Sequence, residues 1–151
     1  MRKTPKYMAV QGAAFFVGVA FLAVGVLGFI PGVTSHYDLL DWAGHHSGAK
    51  LFGMFAVSVL HNLVHLAFGV LGLLFARTYA AARAYLLLGG LAYLGLWAYG
   101  LVIDHGSSAN FVPVNGADNW LHLGLGVGMM LLGVTLGAQH DPTKRRQKTR
   151  A

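Results

Sequence analysis

The chain has 151 residues, of which 56% are hydrophobic and 11% charged, with a mean hydropathy of +0.57 and a formal net charge of +6. A composition this apolar excludes an ordinary soluble domain. The absence of cysteine and glutamate excludes disulfides, thiolate metal sites and iron–sulfur clusters, so that any metal or proton chemistry must rest on His, Asp, Asn or water.

Residues 1–7 form a basic N-terminus carrying Arg2, Lys3 and Lys6. The first apolar segment, Met8 to Ile30, exceeds the roughly 7–15 residues of a signal-peptide core and is expected to be a retained membrane helix. An outer loop follows, GVTSHYDLLDWAGHHSGAK. Its His36, His45 and His46 read as surface residues, and Tyr37 to Ala43 as a short interfacial helix that turns Leu39, Leu40 and Trp42 to lipid.

The second apolar segment, Leu51 to Ala76, has no charged side chain yet carries HNLVHLAFG at its centre. Arg77 and Arg83 flank a short connection to the third segment, Ala84 to Ile103. A second outer loop, DHGSSANFVPVNGADN, leads to the fourth, Trp120 to Ala138, and residues 139–151 form a basic tail. Each segment has about the 20 residues needed to cross a hydrocarbon core of roughly 30 Å. The fold expected is all-α, a bundle of four transmembrane helices occupying 8–138. Ten of the eleven basic residues fall on one side, with Lys50 the exception, which makes both termini cytoplasmic in a multi-pass plasma-membrane protein. Trp42 and Trp120 with Tyr37 would then mark the outer headgroup level, and Tyr7, Tyr79 and Tyr85 the inner one. His140 would sit favourably at the C-terminal end of helix 4. The partners implied are the lipid bilayer and anionic lipids at the cytoplasmic face, without nucleic acid, whose recognition would need more than short basic tails. A homo-oligomer is compatible with the chain.

The sequence repeats itself. NLVHLAFGV from Asn62 lies over NWLHLGLGV from Asn119, 57 positions on, and GVAFLA from Gly18 lies over GLAYLG from Gly90, 72 positions on, with Gly28 over Gly100. Helices 1 and 2 therefore read as one hairpin and helices 3 and 4 as its copy, related by an axis along the membrane normal. At 100° per residue, His61, Asn62, His65 and Gly69 share an arc of about 100°, and Asp118, Asn119, His122 and Gly126 share the same arc in the same order. Such faces cannot be turned to lipid cheaply and should meet inside the bundle, His65 opposite His122 and His61 matched to Asp118.

Three readings of this polar site between helices 2 and 4 follow. In the first, mainly structural, Asn62 and Asn119 hydrogen-bond the opposing histidines while Gly69 and Gly126 allow close packing. In the second, His65 and His122 are the axial ligands of a b-type haem in an electron carrier, with Phe68, Tyr93, Trp97 and Tyr99 around it. In the third, His61, His65, His122 and Asp118 hold zinc or copper, or serve a proton or small-solute path, with Asp104 and His105 close by in sequence. No nucleophile–base pair, phosphate loop or paired catalytic carboxylates can be read, so a non-enzymatic protein is expected.

PGVTSHYD, SVLHNLVHLAFGVLGL and NFVPVNGADNWLHLGLG together resemble the recurrent motifs of a family of small four-helix bacterial membrane proteins, mainly actinobacterial, catalogued as a domain of unknown function. The resemblance spans roughly Tyr7 to Ala138. It implies a four-helix plasma-membrane protein and brings no activity, ligand or catalytic residue.

Overall fold

The computed structural model describes residues 8–138. The expectation for His140 and the basic tails falls outside that range. Four helices dominate: α1 (Ala9–Leu27), α2 (Val59–Phe75), α3 (Tyr79–Val102) and α4 (Gly116–Thr135), the last continued by a 3-10 turn, Leu136–Ala138. Three of them, counting α4 to Ala138, are long and apolar enough to cross a membrane. With 17 residues, α2 stands at the short end of the roughly 17–25 that membrane helices use. The four-helix architecture expected from the sequence is present, with three of the helices long and apolar enough to cross a membrane.

Each helix starts where its sequence supplies a cap. The Gln11 side chain accepts from the Met8 amide at 3.0 Å, Ser58 from His61 at 3.1 Å and Thr78 from Ala81 at 3.3 Å. Asn115 accepts from Ala117 and Asp118. These bonds satisfy amides that the first helical turn leaves without partners. The third helix consequently begins at Tyr79, five residues before the apolar run suggests, and the fourth at Gly116, four before Trp120. At its far end α1 stops at Leu27 and not Ile30, because the chain turns through Pro31 and Gly32, whose φ is +90°.

The largest departure concerns the second apolar segment. Residues 51–58 are not helical. A three-stranded antiparallel sheet forms instead from β1 (Thr34–Ser35), β2 (Lys50–Leu51) and β3 (Phe55–Ala56). The β2–β3 turn is closed by the Met54 amide on the Leu51 carbonyl, and its central residues Phe52 and Gly53 both have positive φ, as in the primed turns that suit hairpins. Apolarity alone could not separate this hairpin from helix, since Leu, Phe and Ala serve either. The interfacial helix expected at Tyr37–Ala43 shortens to a 3-10 turn, Tyr37–Leu39, although Leu39 and Trp42 are exposed as expected.

The helices pack as two hairpins, α1 on α2 and α3 on α4, which meet chiefly along α1 and α3. Within the first, Gly18 lies directly on the backbone of Gly69, Gly72 and Leu73; within the second, Gly90 lies on Gly126 and Met130. Gly28 lies under the Asn62 side chain, and Gly100 under that of Asn119. The half of the core near the α2–α3 connection is apolar, with Val10, Ala14, Ala82, Leu86 and Met129 buried. Tyr85 belongs to it and not to the headgroup level, being 5% exposed with its hydroxyl donating to the Phe68 carbonyl at 3.0 Å.

A methyl group on Gly100 would overlap the Asn119 amide, whereas one on Gly124 would meet nothing within 4 Å. Overpacking of this kind typically costs about 1–3 kcal/mol. Gly100→Ala should therefore lower the unfolding midpoint in detergent measurably, while Gly124→Ala does not lower it. Equal midpoints for the two variants would contradict the close approach.

Candidate functional site

The polar residues of α2 and α4 converge in the half of the bundle next to the sheet. His61, Asn62, His65, Asn119 and His122 are each no more than 8% exposed. Their rings form a closed circuit with one aromatic from each of the other helices. His61 stacks on His65 at 4.6 Å between centroids, His65 on Phe21 at 5.7 Å, and Phe21 on Tyr93 at 5.3 Å with only 10° between planes. Tyr93 lies 5.5 Å from His122, which lies 6.5 Å from His61. Phe68 sets its edge against both Phe21 and Tyr93.

This arrangement brings together most of the residues expected from the sequence but alters how they meet. Phe21 and Tyr93 lie between the two hairpins, so the ring that comes nearest His122 from α2 is His61, not His65. Gly69 and Gly126 do not let α2 approach α4. Gly69 receives Leu22 of α1, and Gly126 receives Leu94 of α3, so both glycines serve packing within a hairpin. Phe21 was not among the candidates. Its signal lay in the repeat, where GVAFLA over GLAYLG places Phe21 on Tyr93.

Asp118 leaves the cluster for a structural task. Its Oδ2 accepts from the Asn115 amide at 2.9 Å and from the Ala56 amide at 3.0 Å, which completes the α4 cap and ties β3 to it. The Asn115 side chain adds a bond from Nδ2 to the Met54 carbonyl at 2.9 Å. Asp104 and His105 are likewise occupied within their loop, Asp104 accepting from the Gly106 amide and His105 contacting the Gly100 carbonyl. Among the described residues, no group of three or more His, Cys, Asp or Glu is arranged to hold a metal ion.

The hydrogen bonds expected between asparagines and histidines are not made by Asn62, whose two amide atoms have no partner. Among the described residues, seven buried side-chain nitrogen or oxygen atoms have none, and six belong to this cluster: Nδ1 of His61, His65 and His122, both amide atoms of Asn62, and Oδ1 of Asn119. The cluster can therefore offer imidazole nitrogens and amide groups to a small molecule that both donates and accepts hydrogen bonds.

A family model described as "Domain of unknown function (DUF4383)" matches residues 11–135. No curated protein and no solved structure matches.

The Asp118 carboxylate holds the sheet to α4 through two backbone amides. Hydrogen bonds to a charged group contribute about 1.5–3 kcal/mol each. Asp118→Ala should release β3, raising hydrogen exchange at the Ala56 amide at least tenfold, while Asp118→Asn, which keeps one acceptor oxygen, has a smaller effect. Unchanged exchange in Asp118→Ala would remove the latch.

Proposed function

The chain belongs to that family, and from its geometry we propose a non-enzymatic, multi-pass protein of the bacterial plasma membrane that binds a small hydrogen-bonding solute among His61, His65, His122, Asn62 and Asn119. The observation that carries this reading is the concentration of partnerless polar atoms in one place. A buried polar atom without a hydrogen bond costs roughly 1–3 kcal/mol. A purely structural polar lock would satisfy its own members, and Asn62 does not. A bound solute or water supplies the missing bonds.

Both termini are cytoplasmic in this proposal, because the basic residues cluster on that side. The site then lies in the outer half of the bilayer. Beneath it the core turns apolar at Phe68, Leu86 and Met129, which favours a pocket entered from outside over a path through the membrane. The internal repeat belongs to the same reading. Gly28 under Asn62 and Gly100 under Asn119, Leu22 on Gly69 and Leu94 on Gly126, support two copies of one hairpin.

The test is contact with water, the simplest such solute. In protein labelled with nitrogen-15 at histidine and reconstituted into nanodiscs, magnetisation from water should reach ring nitrogens of His61, His65 and His122 within milliseconds. His65→Gln and His122→Gln, each losing one ring from the spectrum, assign the signals. Three rings that stay dry would refute the pocket and return the cluster to a structural role.

The second reading, bis-histidine haem between His65 and His122, has the residue types but meets an obstacle in this geometry. His65 stacks on Phe21 and His122 lies against Tyr93, and these two rings, 3% and 2% exposed and stacked on each other, would have to part to admit a macrocycle. Protein purified from cells supplied with a haem precursor should therefore show no Soret band. A band that disappears in His65→Gln and His122→Gln would reinstate the electron carrier.

A further inference from the structure

At the end of the bundle away from the histidines, α1 and α2 leave between them a groove of about 380 Å³ lined by Gln11, Gly12, Phe15, Leu73, Ala76 and Arg77. Its wall is mostly apolar. A Cβ on Gly12 would meet nothing within 4 Å, so the groove is open beside that residue. Gln11 is committed within the protein, its Nε2 donating to the Ala76 carbonyl and its Oε1 accepting from the Met8 amide, both at 3.0 Å. Arg77 is thus the lining group left to meet the charge of a ligand, and it is exposed.

The charge distribution says what kind of ligand that is. The carboxylates of the described residues, Asp38, Asp41, Asp104 and Asp118, all lie in the outer loops or the first turn of α4, at the other end of the bundle. Among the described residues, no carboxylate shares a face with Arg77 and Arg83. Among the described residues no carboxylate of the chain answers Arg77, and a membrane offers counter-charge as lipid phosphate. The second hairpin provides a comparison. At the positions equivalent to Phe15 and Ala76, Leu87 closes onto Gly133, and Arg83, equivalent to Gln11, lies over Gly137. The groove is therefore not a general by-product of this hairpin packing.

We infer that the groove seats an acyl chain of an anionic phospholipid, with the lipid phosphate held by the Arg77 guanidinium. The apolar wall of Phe15 and Leu73 removes methylenes from competition with neighbouring lipid, and the planar guanidinium matches phosphate with paired hydrogen bonds. Basic pockets between membrane helices recognise anionic headgroups in this way. The site is independent of the histidine pocket.

The test uses the full chain reconstituted into bilayers of equal phosphatidylglycerol and phosphatidylcholine, extracted gently, with retained lipid identified by native mass spectrometry. Wild-type protein should keep phosphatidylglycerol several-fold over phosphatidylcholine. Gly12→Leu, which projects a side chain into the groove from a position where a Cβ meets nothing, and Arg77→Gln, at an exposed position, should each bring the ratio to that of the bilayer. Arg77→Lys should retain part of the preference. Circular dichroism and unfolding midpoints matched to wild type establish that the variants are folded, and Arg77→Gln carries the test should Gly12→Leu fail. Equal retention of both lipids by wild type would overturn the proposal, as would a preference that survives both substitutions. Loss in a folded Arg77→Gln together with undiminished preference in a folded Gly12→Leu would mean headgroup attraction without a seated chain. Loss in Gly12→Leu alone would mean an occupant chosen without regard to charge. Either outcome also overturns it.

Discussion

Backbone contact between small residues inside each hairpin is the constraint on which the other features depend. Lipid tails are as apolar as leucine, so burying apolar side chains between membrane helices gives little driving force, and close packing must hold the helices together. Gly18 on Gly69 and Gly72, and Gly90 on Gly126, supply that approach. The same contact fixes the rotation of α2 against α1 and of α4 against α3. Asn62 is thereby laid over Gly28 and Asn119 over Gly100, and the histidines one turn further on are carried inward.

With the rotations fixed, the bundle divides along its axis. One half is filled by Val10, Ala14, Leu86 and Met129, and its polar side chains Gln11 and Tyr85 are bonded to backbone carbonyls. The other half holds imidazoles and amides around the stacked pair Phe21 and Tyr93. The small sheet adjoins that polar half through Asp118, which spends its carboxylate on the backbone of Ala56 and Asn115. The groove near Arg77 belongs to the opposite end of the bundle.

Much of this was legible in the sequence. Hydropathy marked four helices, and the helical arc placed His61, Asn62, His65, Asn119 and His122 on inward faces, because 100° per residue is a property of the helix itself. The alignment of NLVHLAFGV with NWLHLGLGV pointed to the matching environments of Asn62 and Asn119. Three things were not legible. The run from Leu51 to Ser58 has the apolarity of a helix, and its hairpin depends on pairing with Thr34 and Ser35 far back in the chain. Asp118 shared the wheel position of His61, yet its oxygen found the Ala56 amide, 62 residues away. Nor could a wheel reveal that Phe21 and Tyr93 would join the histidines in one circuit of rings.

The sequence by itself therefore determined the class of the protein, its helices and the inward orientation of its polar residues, since each follows from composition or from the period of one element. Only the tertiary structure decided which inward groups meet and which remain without partners. Those outcomes depend on the rotation and offset between helices, and these are set by glycine contacts made between segments distant in the chain. His61 beside His122, Asp118 on the sheet and Asn62 with no hydrogen bond all come from that geometry.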